Sequence, residues 1–251
     1  MIVTLHQPHL LPWLGYLERM LHADLFIVLD HVQFERRGYQ NRTRILCDGE
    51  ARWFTVPVVQ RSREERILEK CIDNAASGND RWWGPKHYKT LCYAYREAGH
   101  FDRYAPRLRD ILETPQARLL DLNLLALEFL RDAFDIRTPL AMSSEIGAGG
   151  RKSELLLNLC REVGATVFLG GLGGSRHYLD VEAFERAGIE VRWQNFRHPE
   201  YEQRGAACFC AGLSSIDMLA NCGPQSRDAL RNAGFASSDS ARAASAELCA
   251  A

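Results

Sequence analysis

The 251-residue sequence predicts an α/β fold built on a doubly wound, mostly parallel sheet, with an inserted β-hairpin and helical segment. Three observations carry this. A β-branched run, a helical stretch and a second apolar run fill residues 2–29. The same alternation returns over residues 139–193. The central runs are apolar throughout rather than alternating, as strands covered on both faces must be.

The elements follow in order. Ile2–Leu5 reads as a strand that stops at Pro8. Leu14–His22 reads as a helix, with Leu14, Leu17 and Leu21 at helical spacing. Leu25–Leu29 is a strand between Asp24 and Asp30, which completes a βαβ unit. Thr43–Cys47 and Trp53–Val59, joined through Asp48-Gly49, predict a hairpin. Residues 62–80 are charged and then polar, a loop with a short strand near Ile67. Residues 82–134 read as helical: Trp83, His87, Leu91 and Tyr95 recur every four residues, and an apolar helix ends near Phe134.

A second unit begins with a strand at Pro139–Ser143 and a connection at Gly147–Gly150. Ser153–Val163 is a helix and Thr166–Leu169 a buried-type strand. Val181–Ala187 is a helix and Gly188–Trp193 a strand. The last forty residues look irregular. The organisation expected is one α/β domain over 1–232, with the insertion at about 33–134, and a frayed Ala/Ser-rich tail over 233–251.

Lysine plus arginine number 31 against 32 acidic residues, a net charge of −1. That balance excludes a chain-wide basic surface and disfavours nucleic acid as a partner. Arg36, Arg37, Arg42 and Arg44 still form a local basic cluster. No apolar run reaches the ~18–20 residues of a membrane span, and no secretory signal opens the chain. The eight cysteines therefore read as reduced thiols in a cytoplasm.

Chemistry-bearing residues gather at expected strand ends. His6, Gln7 and His9 follow the first strand, and Asp30 closes the second, with Gln33, Asn41 and Arg42 just beyond. Ligands of open parallel sheets collect at such ends. His6 or His9 suits a general base, and Asp30 its orienting or metal-binding carboxylate. The turn holding Gly171, Gly173 and Ser175 lets backbone amides approach an anion, with Arg176 and Tyr178 adjacent. It matches neither a Walker loop nor a dinucleotide fingerprint. His198 and Tyr201 form a further polar group. Ser214–Asp217 resembles a capping box. Cys208, Cys210 and Cys222 have C-x-C rather than C-x2-C spacing, so no metal is expected.

At these residues the chain resembles the WbqC-like protein family. The resemblance rests on His6-Gln7-Pro8-x-x-Leu11-Pro12-Trp13-x-Gly15-Tyr16, Asp30-x-Val32-Gln33-Phe34 and Asn41-Arg42. It continues through Leu169-Gly170-Gly171, Tyr178-Leu179-Asp180, His198-Pro199-x-Tyr201 and Leu213-Ser214-x-Ile216-Asp217. Such proteins are typically met in bacterial surface-polysaccharide and related biosynthetic clusters. The opening also resembles pantoate-activating ligases, which implies a nucleotidylyl-transferase-like fold. Their H-x-G-H signature would fall on Trp13-Leu14-Gly15-Tyr16, so both histidines are absent.

The functional expectation is a cytoplasmic biosynthetic transferase or ligase acting on a small anionic metabolite, a nucleotide-sugar or amino-acid derivative. It would transfer an acyl, aminoacyl or nucleotidyl group, with Arg42 and Arg176 holding phosphate or carboxylate. ATP or another nucleotide is left open as cofactor. The rivals are a hydrolase using Ser175 or a cysteine, and a non-catalytic subunit of a biosynthetic complex.

Overall fold

The computed structural model describes residues 1–75 and 82–233, except the side chain of Ser175. In chain order the elements begin with strand β1 (Ile2–His6), helix α1 (Leu14–Leu21) and strand β2 (Leu25–Val28). Strands β3 (Arg42–Cys47) and β4 (Glu50–Thr55) form the hairpin. Helices α2 (Trp83–Ala94), α3 (Phe101–Glu113) and α4 (Leu119–Phe134) follow. Then come β5 (Leu140–Met142), α5 (Ser143–Ile146), α6 (Ser153–Glu162), β6 (Val167–Gly170), α7 (Val181–Arg186) and β7 (Glu190–Trp193). Two short helices, α8 (Ser215–Cys222) and α9 (Ser226–Arg231), end the described chain.

The sheet has the order β5-β2-β1-β6-β7, and every neighbouring pair is parallel. β1 registers on β2 from Val3 opposite Leu25 to His6 opposite Val28, and on β6 through Ile2 opposite Val167. Successive side chains face opposite sides of a strand. Val3, Leu5, Ile27 and Leu29 pack with Leu155, Leu156 and Leu159 of α6. Phe26 and Val28 instead join Leu14, Leu17 and Met20 of α1 and the apolar faces of α2–α4. Both faces are buried, which is why the apolar runs do not alternate.

Four expectations are corrected. β4 begins at Glu50, not Trp53, because Asp48 and Gly49 both take positive φ (53° and 78°) and turn the chain in two residues. The segment near Ile67 is a 3-10 turn, Ile67–Glu69, whose first amides donate to the carbonyls of Val32 and Asp30. Ser143 starts α5 instead of ending β5, because Asp30 accepts from the Ser144 amide at 2.9 Å. The region after Gly212 is helical as far as Arg231, not irregular. The expected tail lies, from residue 234 onward, outside the described residues. Among the described residues no helix is long and apolar enough to cross a membrane.

Candidate functional site

Counted in chain order, the strands of the sheet lie 3-2-1-4-5. The order reverses between β1 and β6. Loops leaving the carboxyl ends of those two strands diverge and open a crevice, the usual ligand position of open α/β sheets. His6 closes β1 and Gly170 closes β6.

The loop from β1 to α1 is held in an unusual shape. Leu11 has φ 43°, a region unfavourable for a residue with a Cβ. Its carbonyl accepts from Thr43 Oγ1 (3.1 Å) and Ser214 Oγ (2.8 Å). The next carbonyl, Pro12, accepts from the Ser215 amide (2.9 Å) and hydroxyl (2.6 Å). The start of α8 therefore fixes the loop that follows His6 and carries His9. As expected, Ser214 caps α8 by accepting from the Ile216 amide. Asp217, however, turns away from the cap to Tyr201 and Gln203.

The His6 and His9 rings meet edge to face, 4.5 Å between centroids. Tyr16 lies 4.8 Å from His6, and Tyr39 stacks on His9 at 5.4 Å. Burial, then the charges of His9 and Arg19, hold His6 well below the usual imidazole range. Burial and then Arg19 push His9 down to about 3. Both rings are neutral at pH 7. His6 Nδ1 lies 2.9 Å from the Gln7 carbonyl, which can only accept. That bond assigns the proton to Nδ1 and leaves the Nε2 lone pair as a base.

Two chambers open on this spot. The larger, about 490 Å³, is walled by His9, Trp13, Tyr16, Tyr39, Arg44 and Gln194. The smaller, about 300 Å³, is walled by Gln7, Glu35 and Tyr178 among others. His6, Arg19, Gly173 and Gly174 line both. Gly171 lines the larger, and a Cβ there would overlap the Arg19 guanidinium.

Arg19 was not a sequence candidate. It is 5% exposed, and burial lowers its pKa to about 10. Its Nε has no hydrogen-bond partner, and among the described residues no carboxylate lies within ion-pair distance. The adjacent Glu18 instead accepts from the Gln194 side chain, which also donates to the Gly15 carbonyl at 2.6 Å. A signal for Arg19 existed in the sequence. Leu14, Tyr16, Leu17, Met20 and Leu21 surround the short α1, leaving no broad solvated face for Glu18-Arg19.

The structure thus brings together His6, His9, Gln7, Gly171, Gly173 and Tyr178. Other candidates lie elsewhere. Asp30 is 3% exposed and accepts from Ser143 Oγ (2.8 Å), the Ser144 amide and Ser144 Oγ (2.5 Å). It anchors α5 instead of orienting the histidines, because the hydroxyls that follow β5 saturate it. Gln33 donates to the Arg63 carbonyl and Asn41 to the Val56 carbonyl. Arg42 stacks on Trp53, 3.9 Å from its ring, and donates to the carbonyls of Arg37 and Gly38. Arg176 lies over Trp193 and donates to the Gln194 carbonyl. Arg44 alone of the basic cluster reaches a chamber.

His198 packs among Phe196 and Phe209, with burial lowering its pKa. Tyr201 donates to Asp217 at 2.7 Å, and Gln203 donates to the same oxygen at 2.9 Å. Burial raises the Asp217 carboxyl. This buried network braces α8 and lines neither chamber. No described cysteine lines one either, and burial pushes Cys160 up to about 12. Among the described residues no group of three or more His, Cys, Asp or Glu could hold a metal.

These features define an α/β protein whose candidate site sits at the switch point of a parallel sheet. The chain belongs to the WbqC-like protein family, whose model matches residues 7–229. It is 33% identical over 232 residues to the uncharacterized protein Rv1507c of Mycobacterium tuberculosis (strain ATCC 25618 / H37Rv), covering 91% of this chain and 97% of that one. No solved structure matches.

Proposed function

We propose that the protein is a cytoplasmic biosynthetic transferase or ligase acting on a small anionic metabolite such as a nucleotide-sugar or amino-acid derivative. The group transferred is an acyl, aminoacyl or nucleotidyl group. The observation that carries the reading is the meeting of His6 and His9 with the glycine turn in one crevice at the switch point. The 3-2-1-4-5 strand order supports a nucleotidylyl-transferase-like fold and leaves a nucleotide as donor. His6 Nε2 takes the proton of the amine or hydroxyl as it attacks the group, the donor's bond to that group breaks and its phosphate or pyrophosphate leaves with the bonding pair, and Gln7 and Tyr178 position the acceptor. Burial keeps the base unprotonated at pH 7, and with Asp30 absent from the crevice no such carboxylate raises the imidazole back toward protonation.

The test is turnover. The protein is incubated with ATP plus amino acids and with a panel of nucleotide-sugars, and products are read by mass spectrometry. His6→Ala is expected to lower the rate by on the order of 10²–10⁴-fold. Undiminished turnover in that variant removes the base assignment. Retained ligand with no turnover in the wild type replaces the enzyme reading with that of a binding subunit.

A further inference from the structure

A buried guanidinium with no direct ion pair is costly, because a carboxylate acting only through space offsets little of its desolvation. Arg19 is such a group. Its side chain is almost wholly buried, its Nε has no partner, and its neighbour Glu18 is engaged by Gln194. The rings around it, His6, His9 and Tyr16, are uncharged at pH 7. Glu18 acts on the guanidinium only through space and makes no ion pair with it, so one positive charge stands at the junction of the two chambers with no direct counter-ion.

The surroundings are shaped to admit an anion there. Gly171 leaves space for the guanidinium that any side chain would fill. Gly173 and Gly174 face open space, and among the described residues their amides reach no acceptor. A planar guanidinium offers paired donors that match the oxygens of a phosphate or carboxylate, which an ammonium would not.

We propose that Arg19 is the anion receptor of the crevice, taking an oxyanion of the substrate against the amides of Gly173 and Gly174. The proposal rests on the same crevice as the functional reading and adds the group by which the substrate is held. Because Arg19 borders both chambers, the anion lies between two parts of the bound molecules rather than at a free end. A phosphate or pyrophosphate ester fits this better than a terminal carboxylate. The aromatic wall of Trp13, Tyr16 and Tyr39 takes the ring-bearing part.

Calorimetric titration of the full chain with inorganic pyrophosphate, inorganic phosphate and acetate tests this. Wild type is expected to bind pyrophosphate saturably and more tightly than phosphate or acetate. Arg19→Gln is expected to weaken pyrophosphate at least tenfold, and Arg19→Lys by an intermediate factor. Tightest binding of acetate would turn the assignment from phosphate to carboxylate. The ligand-free melting temperature gives an independent reading. Removing a buried charge that has no direct ion pair leaves it nearly unchanged or raises it, whereas removing a structural tie lowers it. Equal pyrophosphate binding in Arg19→Gln, no binding of any of the three by wild type, or a variant that melts several degrees lower or fails to fold each overturns the proposal. Turnover plays no part in these measurements, so they stand apart from the enzyme reading.

Discussion

Gly171 and Arg19 illustrate how one side chain constrains another across the sheet. Arg19 is on α1 and Gly171 follows β6, yet the guanidinium fills the space a Cβ would need. Gly171→Ala is therefore expected to displace the guanidinium while leaving the core intact. Pyrophosphate affinity should fall by about tenfold, equivalent to ~1.4 kcal/mol, with little change in melting temperature. Calorimetry and a thermal melt on the same preparation check both halves. Asp30 illustrates the converse. A carboxylate at a strand end, one strand away from two histidines, reads as their partner. The hydroxyls of Ser143 and Ser144 reach it first, and that competition is invisible until β5 is laid beside β2.

Among the elements, the strands were the most legible. A strand buried on both faces must be apolar throughout, so Leu25–Val28 and Val167–Gly170 declared themselves, and the glycine turn marked its own strand end. α8 was signalled only by the capping pattern at its start, and for the opposite reason. Ser214, Ser215 and Asp217 are fully buried, but their partners lie far away in sequence, at Leu11, Pro12 and Tyr201. Polar residues satisfied at long range look locally like a loop. Of the candidate site, the histidines and glycines were legible because their types are tied to strand ends. Arg19 was not, because a charged residue on a helix ordinarily faces water. The α8 contacts carry a prediction of their own. Ser214→Ala and Ser215→Ala each remove one of the two donors to a buried carbonyl and should destabilise by about 0.5–1.5 kcal/mol. Chemical denaturation measures this. Because Leu11 is held against its preferred conformation, either change should also loosen the histidine loop and weaken pyrophosphate binding.

For the molecule as a whole, the buried neutral histidines set an acid limit. His6 and His9 are held well below their ordinary range, chiefly by burial. The unfolded chain protonates them near pH 6.5, while the folded chain resists. The unfolded state thus binds more protons as pH falls below about 6.5, and stability drops toward pH 3 by up to about 1.4 kcal/mol per pH unit for each ring. Asp217, raised by burial, acts in the opposite sense above the ordinary aspartate range. Melting temperatures between pH 7.5 and 5 are expected to fall with acid, and a His6→Gln/His9→Gln double variant should flatten the slope. An unchanged slope would show that other groups govern acid sensitivity.

The bond from Ser214 to the Leu11 carbonyl spans 203 residues. During synthesis the histidine loop is made long before Ser214 and Ser215, which complete its bracing. At typical elongation rates that interval is roughly 10–40 s. Throughout it the nascent chain carries both histidines without the finished crevice. The loop thus gains its full set of tethers only when α8 docks.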